Sequence, residues 1–251
     1  REHIESHGSC EKYFAAKMRI GHALVASPKR PRIIVANGDD PKGAAFLALP
    51  VEQKVGVHAS EATDINLIDS GVSFTYALER VTLCQPGMFT VLNALLAVQA
   101  AEAFGIAPAI SARALKNIKR VPGRVEQIDE GQDFIAVVDY AHTPDSLVAL
   151  YDAFPDKRKI CVLGNTGGGR DTWKRPEMAR IAESACDVVI LTNEDPYDED
   201  PNAIVLAMAG AMTRKPEVIM DRRQAIARAL EAARPGDAVL VTGKGTDPFI
   251  M

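Results

Sequence analysis

The sequence has little of what marks secreted, membrane-spanning or nucleic-acid-binding proteins. Its four cysteines, among 251 residues, show no CxxC spacing, which argues against a zinc site or a disulfide framework and favours a reducing compartment such as the cytoplasm. The net charge of −4 carries no strong basic bias, so we expect no nucleic-acid partner. No apolar run is long enough to cross a bilayer, and the start shows no signal-peptide pattern, so we expect no membrane partner.

What remains is the composition of a soluble globular protein, with 47% hydrophobic and 25% charged residues. A chain of 251 residues forms one large domain or two ordinary ones. The sequence starts at Arg1 without a methionine and stops at Met251, shortly after a glycine-lysine turn. We therefore expect it to be a piece of a longer protein, with material missing at both ends.

A glycine-rich stretch follows the apolar run Ile160–Leu163 and extends from Gly164 to Gly169. Its spacing matches an ATP-binding phosphate loop, but Arg170 and Asp171 stand where that loop has lysine and a hydroxyl residue, so we expect no such loop here. A strand, a glycine-rich turn and a helix direct backbone N–H groups at an anion, and a guanidinium fork such as that of Arg170 suits a carboxylate. The stretch therefore predicts a site for an anionic substrate group; the alternative is a flexible connector with a solvated arginine.

After residue 122, short apolar strands alternate with helices. The predicted strands are Ile135–Val138, Ile160–Leu163, Val188–Thr192, Val218–Met220 and Ala238–Val241, and the predicted helices are Pro144–Phe154, Pro176–Ala185, Pro201–Met212 and Arg222–Ala233. This alternation predicts a parallel sheet covered by helices on both faces. Ligands of such sheets bind beyond the carboxyl ends of the strands. We therefore expect the segments 139–142, 164–171, 193–197 and 243–245 to share one rim.

The first part predicts a mixed α/β structure, joined to the second by a charged, Pro-Gly segment at 118–124 that we take as the domain boundary. Its predicted elements are helices from about Ser9 to Val25 and over Phe89–Phe104, and strands near Arg32–Ala36, Lys54–His58, Ile65–Ile68 and Val72–Leu78. Helical spacing places Lys17 on or beside the packed face, an uncommon position for lysine. The helix over Phe89–Phe104 is apolar nearly all round and should be buried.

Several polar residues of the predicted rim have two interpretations each. Asp139 either accepts hydrogen bonds from ribose hydroxyls or caps the following helix. His142 is either an acid–base group or a residue that stabilises the turn. The acidic loop containing Glu194 and Asp195 is either a solvated turn or a site for an amino-bearing substrate, with Arg170 holding the substrate's carboxylate.

Ordered motifs across nearly the whole chain resemble the Mur ligase family. The segments Pro122–Glu126, Val138–Pro144, Gly167–Pro176, Asp195–Pro196 and Gly243–Gly245 resemble its C-terminal domain. The segments Glu2–Gly8, Tyr13–Lys17, Asn37–Asp40 and Gly87–Ala94 resemble the second half of its central ATPase domain. The resemblance is greatest to the MurE-like branch, which adds the third residue to UDP-N-acetylmuramoyl-L-alanyl-D-glutamate.

This resemblance implies an α/β fold with a partial central ATP-binding domain at 1–121, lacking its phosphate loop, and a Rossmann-like C-terminal domain at 122–251. It implies an ATP-dependent amide ligase of peptidoglycan precursor synthesis. ATP would phosphorylate the D-glutamate carboxylate, and the amine of an incoming amino acid would displace the phosphate, with Mg²⁺ neutralising phosphate charge. The implied partners are UDP-N-acetylmuramoyl-dipeptide and a diamino acid, and we expect a cytoplasmic monomer. We expect the fragment alone to be inactive.

The resemblance also assigns residues to the ATP and metal site. His3 aligns with the family's metal-binding histidine, and Lys17 aligns with the lysine that CO₂ carbamylates into a carboxylate assisting Mg²⁺; both would be catalytic. Burial would leave the Lys17 amine unprotonated and able to react; the alternative is an ordinary helix lysine that reaches water.

Asn93 aligns with an adenine contact, and Arg124 and Asp139 align with ATP contacts. Thr90 stands where the family usually has asparagine, which puts one adenine contact in doubt.

For the incoming amino acid, Arg170 aligns with the family's carboxylate-binding arginine. Asp195 and Tyr197 occupy the Asn and Arg positions of the D-N-P-R motif that selects diaminopimelate. Gly243 and Asp247 complete the predicted site, with Asp247 standing where diaminopimelate enzymes have glutamate. Because the arginine fork is replaced by Tyr197 and the loop is acidic, the site favours an amine such as that of L-lysine, with meso-diaminopimelate as the alternative.

Two other functions stay open from the sequence. One is a folylpolyglutamate synthase-like ligase, which shares the architecture but not the motif context of the first part. The other is a non-catalytic nucleotide-binding relative, which the substitutions at Thr90, Tyr197 and Thr246 keep in view. A Rossmann dehydrogenase is not expected, because Gly164 to Gly169 does not read G-x-G-x-x-G with a suitably placed ribose-binding acid.

Overall fold

A computed structural model of the protein describes residues 4–169 and 171–251, which form two compact units. One unit is His7–Lys119, and the other is Arg120–Met251 together with residues 4–6. The break lies within the charged segment 118–124 that the sequence indicates, but residues 4–6 group with the second unit rather than with the first. No helix in the described ranges is long and apolar enough to span a membrane.

The first unit combines a small parallel sheet, an antiparallel sheet and helices. The chain begins with α1 (Ile4–His7), whose residues 4–6 belong to the second unit. The elements of the first unit are then α2 (Cys10–Ala26), β1 (Ile33–Asn37), α3 (Pro41–Leu47), β2 (Gln53–Val57), β3 (Thr63–Ile68), β4 (Gly71–Tyr76), β5 (Glu79–Leu83), α4 (Met88–Glu102) and α5 (Pro108–Lys116). Strands β1 and β2 pair in parallel, and β3, β4 and β5 form an antiparallel meander. Helix α4 packs Val91 and Leu95 against Phe74 and Val81 of the meander, which forms the core of this unit.

Three expectations for the first unit need correction. Strand β5 and helix α5 were not predicted. Helix α4 is buried on one face only, and Asn93 is exposed on the other. Lys17 is exposed, with its amine 5.2 Å from the centre of the Tyr13 ring. The alternative of a lysine that reaches water therefore describes its position, and the argument from a packed face was wrong.

The second unit is built on a six-stranded sheet in the order β10-β9-β8-β11-β7-β6. Its elements are β6 (Glu126–Ile128), β7 (Ile135–Val138), α6 (Pro144–Asp152), β8 (Lys159–Leu163), α7 (Lys174–Ala185), β9 (Val188–Leu191), α8 (Pro201–Ala209), β10 (Glu217–Val218), α9 (Arg222–Glu231) and β11 (Ala238–Val241). All pairings are parallel except β6 with β7, which is antiparallel. The predicted wound parallel sheet is confirmed, and the antiparallel edge strand β6 is an addition that its three residues were too few to indicate.

The central strand β8 explains why the sheet is covered on both faces. All five of its residues are buried. Ile160 and Val162 pack against α9, and alternation along a strand directs Cys161 and Leu163 to the opposite face. A strand that is apolar on both faces must be covered twice, as the near-continuous apolar run predicted.

The expectation about cysteines was only partly right. Cys161 of β8 and Cys186, directly after α7, form a disulfide that joins positions 25 residues apart. Cys10 and Cys84 are free. The pairing depends on the face of the sheet to which Cys161 points and on where α7 ends, and neither follows from cysteine spacing. The inference of a reducing compartment therefore loses part of its support.

Candidate functional site

The loops after four neighbouring strands of the second sheet meet at one edge. These strands are β9, β8, β11 and β7, adjacent in that order and all parallel. Gly167 donates its backbone N–H to the Asp195 carbonyl at 2.7 Å, which joins the loops after β8 and β9. The backbone of Gly245 lies against Tyr140, which brings together the loops after β11 and β7. The predicted shared rim is thus present.

One backbone N–H group of the glycine-rich loop is bound by a carboxylate of the protein. Gly169 donates its backbone N–H to Glu199 Oε1 at 3.0 Å, and Glu199 also pairs with Arg175 at 2.9 Å. The Gly169 N–H, followed by the Arg175 guanidinium, holds the pKa of the Glu199 carboxyl below its usual value. The Gly169 N–H is therefore not available to a substrate anion, and the predicted role of Arg170 stays a prediction.

Close packing explains two glycines of this loop better than flexibility does. A Cβ atom at Gly164 would lie 2.5 Å from the Thr192 carbonyl oxygen, and one at Gly167 would overlap the Pro196 carbonyl. Any larger residue would push the loop after β8 away from the loop after β9. The two glycines therefore let these loops touch.

A buried ion pair joins the loops after β9 and β11. Lys244 Nζ lies 2.7 Å from both carboxylate oxygens of Asp195, and both side chains are about nine-tenths buried. Lys244 also donates to the Phe249 carbonyl at 2.5 Å, and the Met251 N–H donates to Asp195 at 2.8 Å. The charge of Asp195 is thus compensated within the protein.

Two of the residues predicted to contact the incoming amino acid lie at the surface of the rim. Tyr197 is 43% exposed, has a left-handed backbone (φ 52°), and packs its ring against Gly168. Asp247 is exposed, with its carboxylate 3.6 Å from Lys244 Nζ. The exposed groups of this part of the rim are therefore an aromatic ring and a carboxylate.

Beneath the rim lies Glu194, which sequence reasoning treated only as part of an acidic loop. Its side chain is buried; Oε1 accepts a hydrogen bond from the Thr166 hydroxyl at 3.0 Å, and Oε2 has no hydrogen-bond partner within residues 4–169 and 171–251. Burial raises the pKa of the Glu194 carboxyl above its usual value, against the opposing influence of Arg222, Thr166 and Lys174. Gly243 (φ 101°) packs directly on Oε2.

We predict that the free energy of unfolding of Glu194→Gln increases relative to that of wild type as the pH rises. The folded-state pKa lies above the unfolded value of 4.5, so the folded protein binds this proton more tightly. The stability that Glu194 contributes is full below pH 4.5 and is lost as the pH rises through its folded-state pKa. Glutamine stays neutral and escapes this loss. Urea unfolding of both proteins at several pH values measures the difference.

The control for this prediction is Glu183→Gln, for which the sign is opposite. Backbone N–H groups of Arg214 and Thr213 hold the pKa of the Glu183 carboxyl below 4.5. The stability that the Glu183 carboxylate contributes is present above the unfolded pKa and is lost as the pH falls. The free energy of unfolding of Glu183→Gln should therefore be lowest relative to wild type near neutral pH. Parallel pH profiles for the two variants would contradict the account of Glu194.

The two ATP residues predicted in the second unit are held by local contacts. Asp139 is buried and accepts one backbone N–H at each oxygen, from Val125 and Ala141, both at 2.7 Å. Burial raises its pKa, although these bonds oppose the shift. It does not cap α6, because Thr143 does so. The exposed Arg124 guanidinium lies 4.4 Å from the centre of the Tyr140 ring.

His142 shows the contacts of the turn-stabilising interpretation. Its Nδ1 lies 2.6 Å from the Tyr140 carbonyl oxygen, and its ring meets the Tyr140 ring edge-on at 4.7 Å.

Two of the predicted site residues cannot be placed in the structure. His3 and Arg170 lie outside the described residues. The described part of the chain contains no group of three His, Cys, Asp or Glu side chains that could hold a metal ion. Thr90 is buried and donates its hydroxyl to the Pro86 carbonyl at 3.0 Å, which strengthens the doubt about an adenine contact there.

Sequence reasoning missed several buried charged residues under the rim. Lys174 is almost fully buried, and Arg222 donates to the carbonyls of Thr242 (2.6 Å) and Asn193 (3.4 Å), at the ends of two strands. A signal was available, since Lys174 and Arg222 each follow a strand-end loop at the start of a helix. Charged residues there usually read as a solvated first turn, so the signal was weak.

Comparisons with known proteins agree with this architecture. The family profile described as "Mur ligase, glutamate ligase domain" matches residues 123–245, and that described as "Mur ligase middle domain" matches residues 1–101. The chain is 35% identical to UDP-N-acetylmuramoyl-L-alanyl-D-glutamate--2,6-diaminopimelate ligase of Solibacter usitatus, over 99% of this chain and 53% of that protein.

Two solved structures are also similar. A structure of UDP-N-acetylmuramoyl-L-alanyl-D-glutamate--2,6-diaminopimelate ligase has a TM-score of 0.56 at 27% identity, covering 97% of this chain and 53% of that one. Folylpolyglutamate synthase of Mycobacterium tuberculosis has a TM-score of 0.73 at 20% identity, covering 92% and 56%, which shows the fold alone. The chain spans about half the length of the curated relatives that it matches. Two adjoining domain profiles, the wound parallel sheet and these relatives together show that the chain belongs to the Mur ligase family.

Proposed function

We propose that the chain is part of an ATP-dependent ligase that adds a diamino acid to UDP-N-acetylmuramoyl-L-alanyl-D-glutamate. The observation that supports this proposal is the shared rim of the second unit, where the loops after β9 and β11 bring together Asp195, Lys244 and Asp247. Relatives that match 99% of this chain are named as ligases of this kind. The cell would use the product in peptidoglycan precursor synthesis.

The proposed reaction has two steps. A carboxylate oxygen of D-glutamate attacks the γ-phosphorus of ATP, which forms an acyl phosphate and releases ADP. The amine nitrogen of the incoming amino acid then attacks the acyl carbon, the carbon–oxygen bond to phosphate breaks, and the amine gives up a proton. Inorganic phosphate leaves, and the new amide remains.

In this proposal the residues of the second unit hold the amino acid and one side of ATP. Arg170 binds the amino acid's carboxylate, and Arg124 and Asp139 contact ATP. Asn93, exposed on α4 of the first unit, contacts adenine. Holding the amine close to the acyl carbon is the main catalytic contribution expected of such a site, because positioning removes an entropic part of the barrier.

Mg²⁺ is part of the proposal through family membership, with His3 and carbamylated Lys17 as the residues that would hold it. Lys17 is exposed, so this assignment depends on family membership and not on burial, and a carbamate would supply the hard oxygen ligand that Mg²⁺ prefers. When bound, the ion would neutralise charge on the transferred phosphate. The described donors do not form such a site by themselves, so no step above depends on it.

The charges of the rim favour an amino acid without a carboxylate at its far end. Tyr197 provides no guanidinium, and the charge of Asp195 is compensated by Lys244. Asp247 also lies 3.6 Å from Lys244 Nζ, but its carboxylate is half exposed and can accept a second ammonium group. This changes the sequence-based argument, which counted Asp195 as available for an amine. A lysine-like substrate, with methylenes over Tyr197 and an ammonium at Asp247, fits better than diaminopimelate.

The test is amino-acid-dependent phosphate release by the full-length protein with ATP and UDP-N-acetylmuramoyl-dipeptide. We expect turnover with L-lysine to exceed that with meso-diaminopimelate or ornithine, and mass spectrometry should show the tripeptide product. We expect no turnover by residues 1–251 alone. Absence of amino-acid-dependent phosphate release from the full-length protein would overturn the function. Preference for diaminopimelate would overturn the argument from rim charges.

A further inference from the structure

A reciprocal set of hydrogen bonds connects the start of the described chain to the loop beside the rim. The Glu5 backbone N–H donates to Asp171 Oδ1 at 3.1 Å. The Glu5 carboxylate accepts from both the backbone N–H and the hydroxyl of Thr172, each at 3.0 Å. Each carboxylate thus satisfies an N–H at the start of the other's helical segment. All three residues belong to the second compact unit, and we name this contact the Glu5 clasp.

The backbone at Asp171 needs such a contact. Asp171 is buried and adopts a left-handed conformation (φ 39°), which a non-glycine residue holds only when surrounding contacts fix it. The loop before it has N–H groups directed to Asp195 and Glu199, so its two ends are held from different directions. Removing the Glu5 carboxylate takes away both bonds to Thr172 and leaves the bond from the Glu5 N–H to Asp171.

In the sequence, the clasp adjoins two residues to which the proposed reaction gives roles on different substrates. Glu5 follows His3 by two positions, and Asp171 directly follows Arg170. His3 is assigned to the metal and phosphate side, and Arg170 to the carboxylate of the incoming amino acid. An attack of amine on acyl phosphate requires the two reactants within about 3–3.5 Å and aligned, and a displacement of 1 Å costs about a hundredfold in rate.

We propose that Glu5 is a positioning residue that holds the loop after β8 at Asp171 and Thr172, directly after the position predicted to bind the amino acid's carboxylate. This inference rests on the proposed ligase function. It assigns Glu5 no contact with substrate. Glu5 acts through two contacts: its carboxylate accepts hydrogen bonds from Thr172, and its backbone N–H donates to Asp171.

The test separates the two steps of the reaction in the full-length protein. With Glu5→Ala, we expect amide formation in single turnover to fall about tenfold or more, and the KM for the amino acid to rise. Acyl-phosphate formation, measured as ADP released without amino acid, should change by less than about twofold. Glu5→Gln keeps an oxygen that accepts from Thr172 and should recover most of the lost rate.

Two comparisons exclude a general structural effect. Glu11→Ala is the matched control, because Glu11 is exposed at the start of α2 and its bonds are local, to the backbone there and to Ser9; its rates should equal wild type. Thr172→Val combined with Glu5→Ala should be no worse than Glu5→Ala alone, because both remove the same contact. Equal slowing of both steps by Glu5→Ala would overturn the inference.

A readout independent of activity distinguishes this inference from the function on which it rests. Backbone hydrogen exchange over residues 164–175 should be faster in Glu5→Ala than in wild type and unchanged in Glu11→Ala. Unchanged exchange in Glu5→Ala would overturn the clasp even if the wild-type protein is an active ligase. Faster exchange in Glu5→Ala than in wild type, together with no amide formation by the wild-type full-length protein, would support the clasp and refute the proposed function.

Discussion

Gly243→Ala is expected to lower the free energy of unfolding of the second unit by about 3 kcal/mol or more. Gly243 has a left-handed backbone (φ 101°), and a Cβ atom there would overlap Oε2 of the buried Glu194. The substitution therefore adds backbone strain and also pushes a buried carboxyl that has no room to move. We expect ligase activity of the full-length variant to be lost, because the loops after β9 and β11 would separate.

Gly236→Ala is the matched control for this prediction. Gly236 is also left-handed (φ 86°), but nothing lies within 4 Å of the position that a Cβ would take. The control should cost only about 1–2 kcal/mol, from backbone strain alone. Trp173 is the only tryptophan of the chain and lies in the second unit, so its fluorescence in urea reports the unfolding of this unit. Equal costs for the two variants would refute the clash with Glu194.

Lys244→Met is expected to destabilise the second unit by about 3–5 kcal/mol. It would leave the Asp195 carboxylate buried with its counter-charge removed, and that is the costly way to break a buried ion pair. The loop between Asp195 and Tyr197 would rearrange, so the KM for the amino acid should rise. Replacing both partners, as Asp195→Asn with Lys244→Met, should cost much less than the sum of the two single changes.

An exposed ion pair of the same unit provides the comparison. Arg228 and Glu217 lie 2.9 Å apart, but both side chains are about two-fifths exposed. Arg228→Met should cost no more than about 1 kcal/mol, because water solvates the remaining carboxylate. If Lys244→Met and Arg228→Met cost the same, the Asp195–Lys244 pair does not hold the rim together.

The sheet of the second unit and its shared edge were predictable from the sequence for a definite physical reason. Apolar segments such as Ile160–Leu163 are too short for helices and too continuous for one-sided strands, so they indicate a parallel sheet covered twice. In such a sheet all strands end at the same edge, so polar residues that follow different strands lie together. Local patterns were sufficient, because each strand contributes its own part of the rim.

Pairing across the chain was not predictable from the same patterns. Lys244 and Asp195 are 49 positions apart, and Glu5 and Thr172 are 167 apart, so no local spacing indicates their contacts. The glycine-rich loop was interpreted as an anion cradle because spacing alone does not show where an N–H group points. Lys17 was placed on a packed face because helical periodicity identifies a stripe but not whether a neighbour covers it.

The central claim is that the carboxyl edge of the second sheet receives the incoming amino acid. The most direct measurement is a crystal structure of the full-length protein with that amino acid bound. The account predicts the substrate's carboxylate at Arg170, its chain over Tyr197 and its far amine at Asp247. An amino acid bound away from the four loops of this edge would contradict the account.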